Sequence, residues 1–301
     1  MSAPPAVIEA CGLTKDYGRG RGVFDVTFAV ARGEAVGFLG ANGAGKTVTM
    51  RALMGFIRPG AGSVSIEGRR CFSDRARIQE ALGYLPGELA LPEDMTAKRY
   101  LAFVARMRGA DEAQRRRMRA LADFFELDVR TRIGRMSKGT KQKVGIVAAF
   151  AHAPRVLLLD EPTSGLDLLM QQRFVELVRA EKRRGATILL SSHLLGEVER
   201  TCDRVLFVRG GRLVSEAPAA SLTLEETLAH LYGAGNVGRS WDARAACASE
   251  DAPAPDRASE GVPRDASEGA FARVSGDASG DASAPAPDRA APSSSGEGRA
   301  S

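Results

Sequence analysis

The sequence is poor in rings and thiols: 301 residues hold one Trp, four Tyr, three His and four Cys. No aromatic stacking set and no nucleic-acid module is present, which speaks against nucleic acid as a partner. Cys11, Cys71, Cys202 and Cys247 are scattered without paired spacing. That excludes a disulfide framework and a Cys-based metal site, and reads as reduced thiols. No apolar run approaches the roughly 20 residues that span a bilayer. Met1 to Val7 lacks the basic start and apolar run of a secretory signal, so a protein made and kept in the cytoplasm is expected.

What is present is concentrated in a few short motifs. Gly40-Ala41-Asn42-Gly43-Ala44-Gly45-Lys46-Thr47 fits G-x-x-x-x-G-K-[ST], a nucleoside-triphosphate phosphate loop. Val36-Gly37-Phe38-Leu39 reads as the strand before it, and Lys46 to Phe56 as the helix after it. Glycines let successive N–H groups converge on phosphates, and the helix N-terminus adds partial positive charge. This context assigns Lys46 to the β- and γ-phosphates and the Thr47 hydroxyl to Mg²⁺.

Arg155-Val156-Leu157-Leu158-Leu159-Asp160-Glu161-Pro162 is an apolar run ending in two acids. Four consecutive apolar residues suit a strand buried on both faces of a parallel sheet. Asp160, at its carboxyl end, is the candidate carboxylate for Mg²⁺, and Glu161 the candidate group to orient or deprotonate a water. Upstream, Met136-Ser137-Lys138-Gly139-Thr140-Lys141-Gln142-Lys143 precedes an apolar helix read as Val144 to Ala151. Ser137 is a good N-cap, and the free N–H groups of such a helix can face a γ-phosphate.

In this order the three motifs resemble the ATP-binding-cassette (ABC) family, whose signature is usually Leu-Ser-Gly-Gly-Gln. Here Lys138 replaces the first Gly and Thr140 the Gln, while Ser137 and Gly139 remain. Ser164-Gly165-Leu166-Asp167 resembles the family's D-loop at the dimer interface. His193, after Thr187 to Ser192, resembles its switch histidine, and Tyr17 in Leu13 to Gly18 its adenine-stacking residue. One position departs: Gly87 stands where the family has a Gln that reaches Mg²⁺, with Glu88 beside it as a possible replacement. The resemblance covers about residues 6–232.

It implies an α/β P-loop NTPase fold with a mostly parallel sheet, a small antiparallel β subdomain and a helical subdomain at about 88–150. It implies ATP and Mg²⁺ as cofactors and a head-to-tail dimer of cassettes, expected to be a homodimer. Each ATP would meet the phosphate loop of one subunit and Ser137 and Gly139 of the other. The Ser-Lys-Gly signature and Gly83-Tyr84-Leu85-Pro86 look most like bacterial ABC-2 exporter cassettes, with a multi-span permease on a separate chain at the cytoplasmic face of the membrane. An importer cassette, or a soluble ABC ATPase acting on ribosomes or DNA, stays open.

Composition changes after Tyr232. Residues 233–301 are rich in Ala, Ser, Asp, Gly, Pro and Arg and carry seven Arg against eleven acids, a net −4 in a chain of +5, so residues 1–232 carry +9. This tail is expected to be disordered, because it has too little apolar surface to offset its ordering entropy. Within the cassette, a strand is expected at Val64 to Glu67 after a turn at Arg58 to Ser63. Thr96 should cap one helix and another should run from Asp111 to Leu127, with Arg115-Arg116-Arg117 on a solvated face. A last βαβ unit should join Val156–Leu159, a helix over Leu168 to Arg183, a stop at Gly185, and Thr187–Ser191.

Overall fold

Leu157, Leu158 and Leu159 are consecutive and fully buried, yet they face two different cores. Leu157 and Leu159 point into one and Leu158 into the other, as the twofold alternation of a strand requires. The computed structural model describes residues 5–232, and the sheet containing these leucines organises all of it.

Two sheets are present among the described residues. β1 (Ala6–Asp16), β2 (Gly22–Ala31), β4 (Ala61–Ile66) and β5 (Arg69–Arg70) form an antiparallel sheet in the order β2-β1-β4-β5. The central sheet runs β10-β9-β3-β8-β7-β6. Its strands β3 (Ala35–Leu39), β6 (Leu82–Leu85), β7 (Val156–Asp160), β8 (Thr187–Ser192) and β9 (Arg204–Arg209) are parallel. β10 (Arg212–Pro218) closes one edge in antiparallel fashion.

One face of the central sheet packs on α1 (Lys46–Leu53) and the small β sheet, with Met50, Leu53, Ile8 and Val26 in that core. The other packs on α3 (Ala97–Met107), α4 (Glu112–Phe124), α5 (Lys138–Phe150) and α6 (Leu168–Arg183). There Phe150 and Phe174 meet edge to face at 6.3 Å. The remaining helices are α2 (Arg75–Ala81), α7 (Leu195–Thr201) and α8 (Leu224–Tyr232).

Helix starts follow their caps. Thr96, Ser137 and Asp167 each accept a hydrogen bond from an N–H in the first turn, and Asp111 forms a full capping box with Gln114. Several expected boundaries move. The helix after the phosphate loop ends at Leu53, not Phe56, because Gly55 takes a left-handed φ of 70°. The signature helix begins at Lys138 rather than Val144, so its first turn is the signature itself. β4 runs Ala61–Ile66, taking in part of the expected turn, and α4 stops at Phe124.

Arg117 also corrects the reading of a solvated arginine face. Its Nε donates to Phe150 O at 3.1 Å, and its guanidinium pairs with Glu181, which is 2 % exposed. Arg184 pairs with the same carboxylate, so α4 is tied to α6 by charge. The tail reading lies outside the described residues.

Register then gathers the site. Leu39 lies beside Ser192, and Asp160 beside Ser191. The loop after β3, the end of β7 and the end of β8 therefore share the carboxyl edge of the sheet, where open α/β sheets bind ligands.

Candidate functional site

The loop from Gly40 to Gly45 joins β3 to α1 in a shape that demands glycine. Gly43 and Gly45 have φ of 81° and 106°. A Cβ on Gly45 would stand 2.7 Å from Val23, and one on Gly40 would stand 2.7 Å from Val208 O. Lys46 opens α1 and is buried. Its Nζ donates to Gly40 O at 2.6 Å and Ala41 O at 3.4 Å. Thr47 is exposed on the first helical turn, which carries no acid to compete with an anion.

A hollow of about 330 Å³ opens over this loop, lined by Ala41, Asn42, Gly43, Ala44, Gly45, Lys46 and Thr47. Tyr17, Arg21 and Glu161 complete its wall. Tyr17 is half exposed on a turn in which its N–H donates to Arg21 O at 2.9 Å. Lys15 Nζ lies over its ring at 5.7 Å from the centroid, and the half-exposed ring is the candidate to offer a face to a base. Arg21 was not among the residues picked out by motif, since a lone arginine on a Gly-rich turn carries no sequence signal.

Asp160 ends β7 and is 1 % exposed. Its Oδ1 accepts a hydrogen bond from Ser191 Oγ across the strand pair. A Cβ on Gly87 would lie 3.5 Å from the Asp160 carboxyl. Gly87 therefore faces this carboxylate with no side chain to extend toward it. Glu88, the next residue, is exposed.

Glu161 adopts a φ of 48°, a left-handed conformation costing roughly 1–2 kcal/mol outside glycine. Its N–H donates to Ser191 O at 3.0 Å and to Ser191 Oγ at 3.3 Å. Its Oε1 stands 3.1 Å from Lys46 Nζ, an ionic contact without hydrogen-bond geometry. Its Oε2 lies 2.6 Å from His193 Nδ1. A carboxylate only accepts, so this contact places a proton on Nδ1. His193 is half exposed at the end of β8.

Ser137, Gly139 and Asp167 do not line the hollow. Ser137 Oγ accepts from Thr140 N, and Asp167 Oδ1 from Met170 N, so within one chain both act as helix caps. Gly139 packs so closely on the Gly165 carbonyl that a Cβ there would lie 2.2 Å from the oxygen. The signature and the D-loop thus form one unit, apart from the phosphate loop of the same chain.

Among the described residues no cluster of three or more His, Cys, Asp or Glu could hold a metal. The Thr47 hydroxyl and the Asp160 carboxylate are oxygen donors of the kind Mg²⁺ takes, an ion that keeps waters and draws ligands from bound phosphates rather than from a full protein cage. Cys71 and Cys202 are free, and burial pushes both thiols up to about 12, so neither is a nucleophile or ligand.

The ABC transporter family model matches residues 23–164. The ABC transporter ATP-binding protein NatA of Bacillus subtilis is 35% identical over 206 residues, covering 67% of this chain and 84% of NatA. The chain belongs to the ABC transporter family. The Nod factor export ATP-binding protein I of Paraburkholderia xenovorans is 37% identical over 227 residues, 74% of each chain. A solved ATP-binding subunit of an ABC transporter superposes with a TM-score of 0.68 at 33% identity, covering 73% of this chain and 97% of that one. This cassette is an ATP-binding ATPase of that family, and the α/β P-loop architecture agrees with it.

Proposed function

We propose that this cassette, over residues 1–232 with a helical subdomain at about 88–150, is the subunit that powers a bacterial membrane exporter. The observation that carries the reading is a half-site. One chain lines a single hollow with Lys46, Thr47, Glu161 and Tyr17, with buried Asp160 next to Glu161 at the end of β7, but leaves Ser137 and Gly139 out of it. A second copy, head to tail, supplies them. Among the described residues no helix is long and apolar enough to cross a membrane, and this reading assigns the translocation path to a separate multi-span permease. The likeness to an export ATP-binding protein favours export, and a permease places the cassette at the cytoplasmic face of the membrane.

The loop N–H groups and Lys46 would bind the β- and γ-phosphates, with Tyr17 against the base. Thr47 and Asp160 would hold Mg²⁺, which would neutralise phosphate charge. A γ-phosphate beside Lys46 displaces Glu161 from it. Glu161 is then free to take a proton from the attacking water, while Nδ1 of His193 holds its other oxygen. Ser137 and Gly139 of the second subunit would cap the γ-phosphate through their helix N-terminus. Loss of that phosphate removes the contact between subunits, which makes opening a mechanical output.

Purification of the tagged chain from membranes of its native host tests this reading. A co-purifying multi-span protein without its own cassette supports it. A chain found only with ribosomes or DNA would keep the ATPase chemistry and overturn the transport role.

A further inference from the structure

Gln142 is 2 % exposed on α5, in a position where an apolar residue would be expected. Its Nε2 donates to Pro162 O at 2.8 Å and approaches Glu161 O at 3.5 Å. These carbonyls follow the residue whose φ of 48° directs its carboxylate toward Lys46 and His193. On the other side, Ser191 accepts from the Glu161 N–H. The Glu161 backbone is therefore clamped between β8 and α5. A left-handed conformation outside glycine persists only where its surroundings hold it.

The helix that supplies this clamp starts at the signature. Gln142 lies five residues beyond Ser137, about 7.5 Å along the axis, and Gly139 of the same helix rests on the Gly165 carbonyl. We propose that Gln142 is a positioning residue for hydrolysis: its amide fixes the Glu161–Pro162 peptides, and so the Glu161 carboxylate, to the helix carrying Ser137 and Gly139. The proposal rests on Glu161 being the group that activates water. Gln142 itself touches neither nucleotide nor water.

A packing role needs only the volume of the side chain, whereas positioning needs the Nε2 donor. Gln142→Met keeps length and bulk and loses the donor. The test measures kcat and KM for Mg-ATP hydrolysis and the Kd for ATP, using the full chain and the Gln142→Met and Glu161→Gln variants. Gln142→Met should lower kcat about tenfold, equivalent to ~1.4 kcal/mol, with the ATP Kd within about twofold of wild type. Glu161→Gln should abolish turnover. A Gln142→Met enzyme with near-normal kcat beside an inactive Glu161→Gln overturns the Gln142 assignment alone. Loss of ATP binding along with turnover in Gln142→Met also overturns it, making Gln142 a core residue. Full turnover by Glu161→Gln would instead sink the role of Glu161, and the positioning role with it.

Discussion

His193 and Glu161 share a contact of 2.6 Å, Nδ1 to Oε2, although 31 residues separate them in sequence. The same carboxylate reaches Lys46 at 3.1 Å with its other oxygen. Glu161 therefore holds Lys46 of the phosphate loop at one end and His193 at the other. In the proposed mechanism, a nucleotide entering the hollow exchanges the first contact for its own phosphates, which would link binding and readiness for hydrolysis through one side chain.

Lys46→Ala removes the cation that this exchange serves. A charge-assisted hydrogen bond contributes about 1.5–3 kcal/mol, so ATP affinity is expected to fall at least about tenfold. Calorimetric titration with Mg-ATP reads this directly, and unchanged affinity would remove Lys46 from the site.

Two glycines should respond unequally to a single methyl. Gly139→Ala drives a Cβ to 2.2 Å from the Gly165 backbone oxygen, and overpacking of this kind costs about 1–3 kcal/mol. Gly87→Ala meets Asp160 at an ordinary 3.5 Å and is expected to change stability by less than about 0.5 kcal/mol. Urea unfolding of both variants checks the contrast, which equal midpoints would refute.

Glu197 gives the fold a specific pH dependence. It is 5 % exposed, accepts from Ser192 Oγ at 2.6 Å, and burial pushes its carboxyl from 4.5 up to about 7. The unfolded chain releases this proton near the ordinary value while the fold keeps it, so the unfolded state binds fewer protons between the two. Stability from this group is full below about pH 4.5 and is lost as pH rises to about 7, an effect on the order of 3 kcal/mol. Glu197→Gln should lack that slope. Urea midpoints at intervals from pH 4.5 to 8 compare the two, and parallel profiles would contradict the assignment.

Local chemistry made much of this legible in the sequence. The phosphate loop is contiguous, and its glycines do a job visible from spacing alone. Ser137, Thr96 and Asp167 are caps that announce their helices. Residues acting across the fold were not legible. Ser191 meets Asp160 only through the β7–β8 register, and Gln142 meets Pro162 only because α5 packs under that edge. Arg117 looked like one of three solvated arginines until α6 placed Glu181 against it. β9 and β10 are not legible either, because Val205 to Val208 is a short apolar run that periodicity cannot assign. The Gly210-Gly211 turn between them, with φ of 55° and 77°, was the available clue.

In the proposed cycle, two copies of this chain close around ATP and reopen once Glu161 has acted. Sedimentation of the Glu161→Gln variant with and without Mg-ATP separates the two states. A monomer is expected without nucleotide and a stable dimer with it, and a second substitution, Lys46→Ala, should abolish that dimer. A Glu161→Gln variant that binds ATP yet stays monomeric at every protein concentration would contradict that cycle.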